Sequence, residues 1–166
     1  GLAARLVPAL RRLIAADGGA PETAYRLVMR GHLLCDSSEQ AAVREARSLF
    51  RRARRLAPGA ARPLSGLART HLLTWLFGWS EQPERVLARG ARLAQTAVDR
   101  DPNDARSWSE LGRAQLYRNR ADAALAAYER AVDLNPCDTD ILADYATALD
   151  RSGRPAAALT IIARAQ

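Results

Sequence analysis

The chain has no lysine: all 25 of its lysine-plus-arginine positions are arginine. Such uniformity reads as GC-rich coding more than as chemistry. Aromatic residues make up only 5% of the chain and β-branched residues are sparse, while Ala, Leu and Arg dominate. That mixture favours helix, where these three lose little side-chain freedom. Two cysteines about a hundred residues apart, Cys35 and Cys137, fit a reducing cytoplasm better than a disulfide scaffold. No apolar run approaches the roughly 20 residues that cross a bilayer, so no membrane span is expected. No glycine-rich phosphate loop occurs. Neither of the two histidines, His32 and His71, sits in a nucleophile–base–acid pattern. No catalytic residue and no cofactor is therefore expected.

What is present is a repeat. Residues 105–138 read ARSWSELGRAQLYRNRADAALAAYERAVDLNPCD. Trp108, Leu111 and Gly112 give W-x2-L-G; Ala124 and Tyr128 give A-x3-aromatic; Ala131 follows, and Pro136 closes the unit. This resembles the tetratricopeptide repeat at nearly every signature position, Gln115 standing where the pattern has Tyr. Trp108 and Leu111 share one helix face. Gly112 costs about 1 kcal/mol inside a helix, so a close approach of the second helix must compensate it. Ala124, Tyr128 and Ala131 form the buried stripe of that second helix, and Pro136 stops it.

The pattern recurs on both sides. From Thr139 the equivalent buried positions are Leu142, Tyr145, Ala146, Leu149, Ala158, Ile162 and Ala165. This fourth unit has no closing helix after it. Either the chain is a piece of a longer array, or the exposed face pairs with something. Backward, Pro102 closes a unit whose first helix starts at Arg62. Its two helices stand about ten residues further apart than the repeat pattern allows. The surplus is WLFGWSEQPE, with Ser80 read as an N-cap and Pro83 as a first-turn residue. Pro58 closes the unit before that, with Gly31 at the glycine position and a first helix over Glu22–Cys35. Ser37-x-x-Gln40 reads as the capping box of its second helix. Leu6, Leu10, Leu13 and Ile14 recur at helical spacing, which favours an amphipathic helix over a targeting peptide there.

The expected fold is all-α: one right-handed α-α superhelix of about nine helices, spanning 1–166. Its parts are an N-terminal helix (1–17), a divergent first repeat (22–58), a second repeat with the insertion (61–102), a third (105–138) and a fourth without a capping helix (139–166).

Three stretches of the chain have a character beyond the generic repeat. They are AYRLVMRGHLL (24–34), SLFRRARRLAPGAARPLSGLARTHLL (48–73) and WLFGWSEQPERVLARGARLAQTAVDRDPNDA (75–105). They are similar to the repeat region that follows the effector domains of bacterial class III adenylate and guanylate cyclases and of winged-helix transcriptional regulators. The resemblance implies a regulatory interaction module that works with an upstream effector domain. It does not bring the cyclase's metal-binding aspartates or the winged helix, for which no segment here is suited.

In the repeat family the first helix of each unit lines the inner surface. The resemblance places Arg62, Arg69, Arg106, Ser109, Arg113, Tyr117, Asp140 and Thr147 there as a ligand groove. The groove also takes in Val28, His32 and Cys35. Val28 and His32 occupy the places of the Lys and Asn of the carboxylate clamp, so that clamp is not matched. Arginine binds carboxylates as a fork, and an acidic peptide or protein segment is one expected partner; a solvated charged face is the alternative. Net charge supports a basic first half. Residues 1–58 carry eleven Arg against five acids, and residues 101–166 carry eight against ten.

Arg44, Arg47, Arg51 and Arg55 recur at helical spacing as a basic stripe, for which a solvated convex face is the expected role. Nucleic acid is disfavoured, since no aromatic or glycine-rich feature accompanies the stripe. His32, Cys35 and His71 supply three metal-binding side chains but no fourth, and packing is the expected role. Trp75, Phe77 and Trp79 are expected to be core of a lengthened hairpin. The functional expectation is a non-catalytic protein-binding module. The alternative is a homo-oligomerisation scaffold, a homodimer through the uncapped repeat or the Trp-rich insertion.

Overall fold

The computed structural model describes residues 23–164, and the expected helix over 1–17 lies outside them. The described residues form eight helices and no strand: α1 (Ala24–Asp36), α2 (Gln40–Leu56), α3 (Arg62–Leu76), α4 (Pro83–Arg100), α5 (Ala105–Tyr117), α6 (Ala121–Leu134), α7 (Thr139–Arg151) and α8 (Pro155–Arg164). Consecutive helices pack as hairpins, α1 with α2, α3 with α4, α5 with α6 and α7 with α8. The first helices α1, α3, α5 and α7 also touch one another in series. This is the stacked arrangement of a tetratricopeptide-repeat solenoid.

Local chemistry sets the helix ends. Thr23, Asp104 and Asp138 are side-chain N-caps of α1, α5 and α7, each accepting from backbone N–H groups of the first turn. Pro63 and Pro83 sit in the first turns of α3 and α4, where a missing N–H costs nothing. Each turn within a hairpin contains one left-handed residue, Ser38, Gly78, Asn119 or Gly153, which reverses the chain after the first helix.

Two capping assignments need correction. Ser37 caps the end of α1 rather than the start of α2: its hydroxyl donates to the Leu34 carbonyl at 2.9 Å. Glu39 precedes α2 and its side chain makes no capping bond. Ser80 likewise does not cap α4. Its hydroxyl accepts from the Gln82 N–H at 3.1 Å, and Gln82 holds the N-cap position with no side-chain bond. The ten-residue surplus is absorbed by longer helices and a six-residue connection, 77–82.

Small residues and one aromatic per hairpin decide how closely the helices pack. Phe50 on α2 is fully buried, and a Cβ added at Gly31 or at Gly66 would come within 2.6 Å or 2.3 Å of its ring. Phe50 therefore wedges between its own first helix and the next one, α3. Tyr128 on α6 repeats the arrangement: a Cβ at Gly112 would lie 2.9 Å from its ring, and it stacks on Tyr145 of α7. The close approach at Gly112 is thus to an aromatic ring, not to backbone. In the last hairpin the corresponding Ile162 is 45% exposed and Ile161 is buried instead. The expectation of a buried Ile162 fails because no following first helix among the described residues closes over it. Ala165 lies outside the described residues. Trp108 is half-buried, bridges two core clusters and donates its indole N–H to the Pro102 carbonyl at 2.8 Å.

Candidate functional site

The first helices bring the expected groove arginines together, and the structure pairs every one of them internally. Arg62 Nε lies 3.3 Å from Asp104, the N-cap of α5. Arg106 Nη2 lies 3.2 Å from Asp138, the N-cap of α7, and 3.6 Å from Asp140. Arg69 reaches Asp36 at 2.9 Å and Glu110 at 3.8 Å. Arg113 reaches Glu110 at 3.8 Å and bonds Asp144 directly. Four arginines thus meet six carboxylates. The free cationic groove expected for an acidic ligand is not there, because its charges are already neutralised across neighbouring helices.

The pairs follow the repeat. The arginine that opens one first helix binds the aspartate that caps the next first helix: Arg62 with Asp104, and Arg106 with Asp138. The arginine seven places later binds an acid one turn into the next first helix: Arg69 with Glu110, and Arg113 with Asp144. Arg62 and Asp104 are 42 residues apart and Arg106 and Asp138 are 32 apart, and the ten-residue insertion supplies the difference. The surplus lies in the two longer helices and their connection, within one hairpin, so it stretches the sequence without moving the ladder.

Burial tunes these groups. Glu110 and Arg113 are buried among the first helices. Burial pushes the Glu110 carboxyl above its usual range, against the pull of Arg113 and Arg69. Burial opposes the Arg113 charge too, but Glu110 and Asp144 outweigh it and hold the guanidinium protonated. Glu110 and Arg113 lie on the same helix, and a buried pair of this kind is costly to break from one side.

The other groove positions divide. Ser109 is buried, 3.5 Å from Asp144. Tyr117 stacks on Trp75 at 4.8 Å between ring centroids, at the turn end of the hairpins. Asp140 and Thr147 stay exposed on α7, the Thr147 hydroxyl donating to the Ala143 carbonyl. Val28 and Cys35 are core, and His32 sits edge-on to Phe50. Burial, reinforced by Arg69 and three further arginines, holds the His32 imidazole down to about 3. Burial raises the Cys35 thiol to about 12, which disfavours the thiolate. Among the described residues no three of His, Cys, Asp and Glu are grouped to hold a metal ion. No described helix is long and apolar enough to cross a membrane.

The basic stripe is also divided. Arg44, Arg51 and Arg55 are exposed on α2. Arg47 is half-buried and staples α2 to α3, donating to the Thr70 hydroxyl (3.1 Å), the Thr70 carbonyl (3.0 Å) and the Thr74 hydroxyl (2.8 Å). Sequence reading missed this staple and all the carboxylate partners. The signal that held them was the recurring spacing within each first helix: Arg62 to Arg69 as Arg106 to Arg113, and Asp104 to Glu110 as Asp138 to Asp144.

In the insertion, Trp75 and Trp79 are half-buried, Trp79 packing on the first core cluster and stacking on Phe77. Phe77 is 43% exposed, so the run is only partly core.

Comparison with known proteins agrees with this architecture. The profile of the cytochrome c-type biogenesis protein H TPR domain matches residues 87–160. The cytochrome c-type biogenesis protein CcmH of Escherichia coli is 35% identical over 72 residues, 43% of this chain and 21% of that protein. The formate-dependent nitrite reductase complex bifunctional subunit NrfFG of Haemophilus influenzae is 42% identical over 55 residues, 33% of this chain and 14% of that protein. The chain therefore covers about a fifth or less of these relatives. Among solved structures, a TPR protein of Thermus thermophilus superposes with a TM-score of 0.75 at 15% identity, covering 96% of this chain and 79% of that one. MamA of Desulfovibrio magneticus superposes at 0.58 and 17% identity, covering 86% and 73%. The fold is that of the tetratricopeptide repeat.

Proposed function

We propose that this domain is a non-catalytic polypeptide-binding module that serves the assembly of c-type cytochromes. The observation that carries the binding role is the ion-pair ladder. It locks four first helices in register and presents a rigid inner surface, which lowers the ordering cost of taking up a partner. The profile match over 87–160 and the named relatives carry the assembly role. None of those relatives is a cyclase or a winged-helix regulator, so the signalling assignment has no support beyond the sequence resemblance.

With its arginines paired, the inner surface favours a partner that offers backbone and side-chain hydrogen bonds rather than net negative charge. The exposed Asp140, Ala143, Thr147 and Asp150 of α7 extend that surface inside the matched region. The two free thiols say less about compartment than their number suggests. Cys35 is buried in the first hairpin and Cys137 is exposed between α6 and α7.

Titration of the domain with a haem-free c-type cytochrome polypeptide tests the proposal. A saturable calorimetric isotherm is expected, weakened at least tenfold by Thr147→Arg with Ala143→Arg. Equal binding of an unrelated unfolded polypeptide of the same length and charge would remove the assembly role. The homo-oligomer alternative draws on the exposed Leu159 and Ile162 of the last hairpin.

A further inference from the structure

The geometry points to a second recognition site, on the outer side of the insertion: the concavity between the α3–α4 turn and the first turns of α4 takes a carboxylate-bearing peptide segment. It has a volume of about 570 Å³, within the usual range of ligand sites, and is lined by His71, Trp79, Glu81, Gln82, Arg85 and Arg89 among others. The insertion that departs from the repeat pattern builds most of this wall. The site is distinct from the inner surface and does not depend on the partner proposed for it.

Three observations carry the inference. First, His71 is only 8% exposed, yet its Nδ1 has no hydrogen-bond partner. An unpartnered buried polar atom beside a concavity costs free energy, and His71 is part of the lining. Second, the charges are unbalanced here, in contrast to the inner surface. Arg85 is aimed by its bond to the Gln82 side chain at 3.0 Å, and Arg89 and the nearby Arg51 form no ion pair among the described residues. Glu81 is the single acid of the lining. Third, the His71 imidazole is held down to about 4, by burial first and then by Arg47, Arg89 and Arg51, with no carboxylate acting on it. Of these, Arg89 lines the concavity beside Arg85, while Arg47 is bonded to Thr70 and Thr74. Guanidinium forks match carboxylates, and Trp79 forms part of the wall beside Arg85 and Arg89. The acidic partner that the composition of the first half suggested is therefore assigned to the convex side, where the basic charge is unspent.

The test is fluorescence polarisation of a labelled hexaglutamate peptide against the full chain in low salt, with hexaglutamine as control. Saturable binding of hexaglutamate alone is expected. Arg85→Glu with Arg89→Glu should weaken it at least tenfold, and His71→Phe at least threefold, with unchanged circular dichroism. Arg130→Glu with Arg154→Glu, an equal charge change elsewhere, should shift it less than twofold. On binding, the Trp79 indole N–H resonance should move while that of Trp108, bonded to Pro102, stays. Equal losses in the two charge-reversed pairs, a motionless Trp79 signal, or inorganic phosphate displacing the peptide at equimolar concentration would each overturn the assignment.

Discussion

Arg106 of α5 lies 3.2 Å from Asp138, the residue that caps α7 in the next hairpin. One carboxylate thus ends a helix and ties it to its neighbour. Asp138→Ala removes both roles and should cost about 1–2 kcal/mol, mostly through the lost cap. Arg106→Ala removes only a partly exposed ion pair and should cost less than about 1 kcal/mol. Urea melts of the two variants give the comparison, and equal costs would mean that the ion pair outweighs the cap.

Gly66 has no room for a methyl group, since an added Cβ would lie 2.3 Å from the Phe50 ring. Alanine's better helix propensity, worth about 1 kcal/mol, should lose to the overpacking, and Gly66→Ala should destabilise by about 1–3 kcal/mol. Combining it with Phe50→Leu should recover part of that cost. A double-mutant cycle without coupling would refute the wedge.

Arg47 and Arg51 are one helical turn apart on α2, yet only Arg47 bonds α3. Arg47→Met should cost about 1–3 kcal/mol, leaving the Thr70 carbonyl without its guanidinium partner. Arg51→Met should change stability by less than about 0.5 kcal/mol, as expected of an exposed site. Thermal melts that ranked them in the other order would show that the stripe acts as one surface.

The histidines set a pH window. His32 and His71 are held down to about 3 and about 4 in the folded chain, against an ordinary value of 6.5. Between those limits the unfolded chain binds more protons, so stability is full above pH 6.5 and falls as the pH drops. The slope is about 1.4 kcal/mol per pH unit for each histidine within its window. Asp36 and Glu110 are shifted upward, so they act the other way toward the acidic end. The melting temperature should fall from pH 7 to pH 5, and should fall less in His71→Gln. An equal fall in that variant would assign the loss to other groups.

The end face gives the last test. Leu159 and Ile162 are 69% and 45% exposed. Sedimentation velocity should nevertheless show a monomer at all concentrations, unchanged by Leu159→Glu. A dimer abolished by that substitution would favour the scaffold alternative.

The repeat was legible in the sequence because its signals are local. Trp108, Gly112, Ala124 and Tyr128 lie within one hairpin, where helix periodicity alone fixes which side chains face each other. Gly31 and Phe50 could be read for the same reason. The caps at Ser37 and Ser80 were misread because a serine near a turn serves several local bonds equally well, and only the backbone path selects one.

The sequence by itself determined the helices and their pairing into hairpins. Only the tertiary structure decided what the inner arginines do. Their partners are in the next hairpin, up to 42 residues away, and meet them only once stacking has set the register. Arginine at a groove position reads as a free charge in one dimension. For Arg69 and Arg113, burial makes an unpaired guanidinium too costly, so the neighbouring carboxylates claim it; Arg62 and Arg106 are more exposed and pair with the caps of the next first helices. The basic charge left over is on the outer side, beside the insertion.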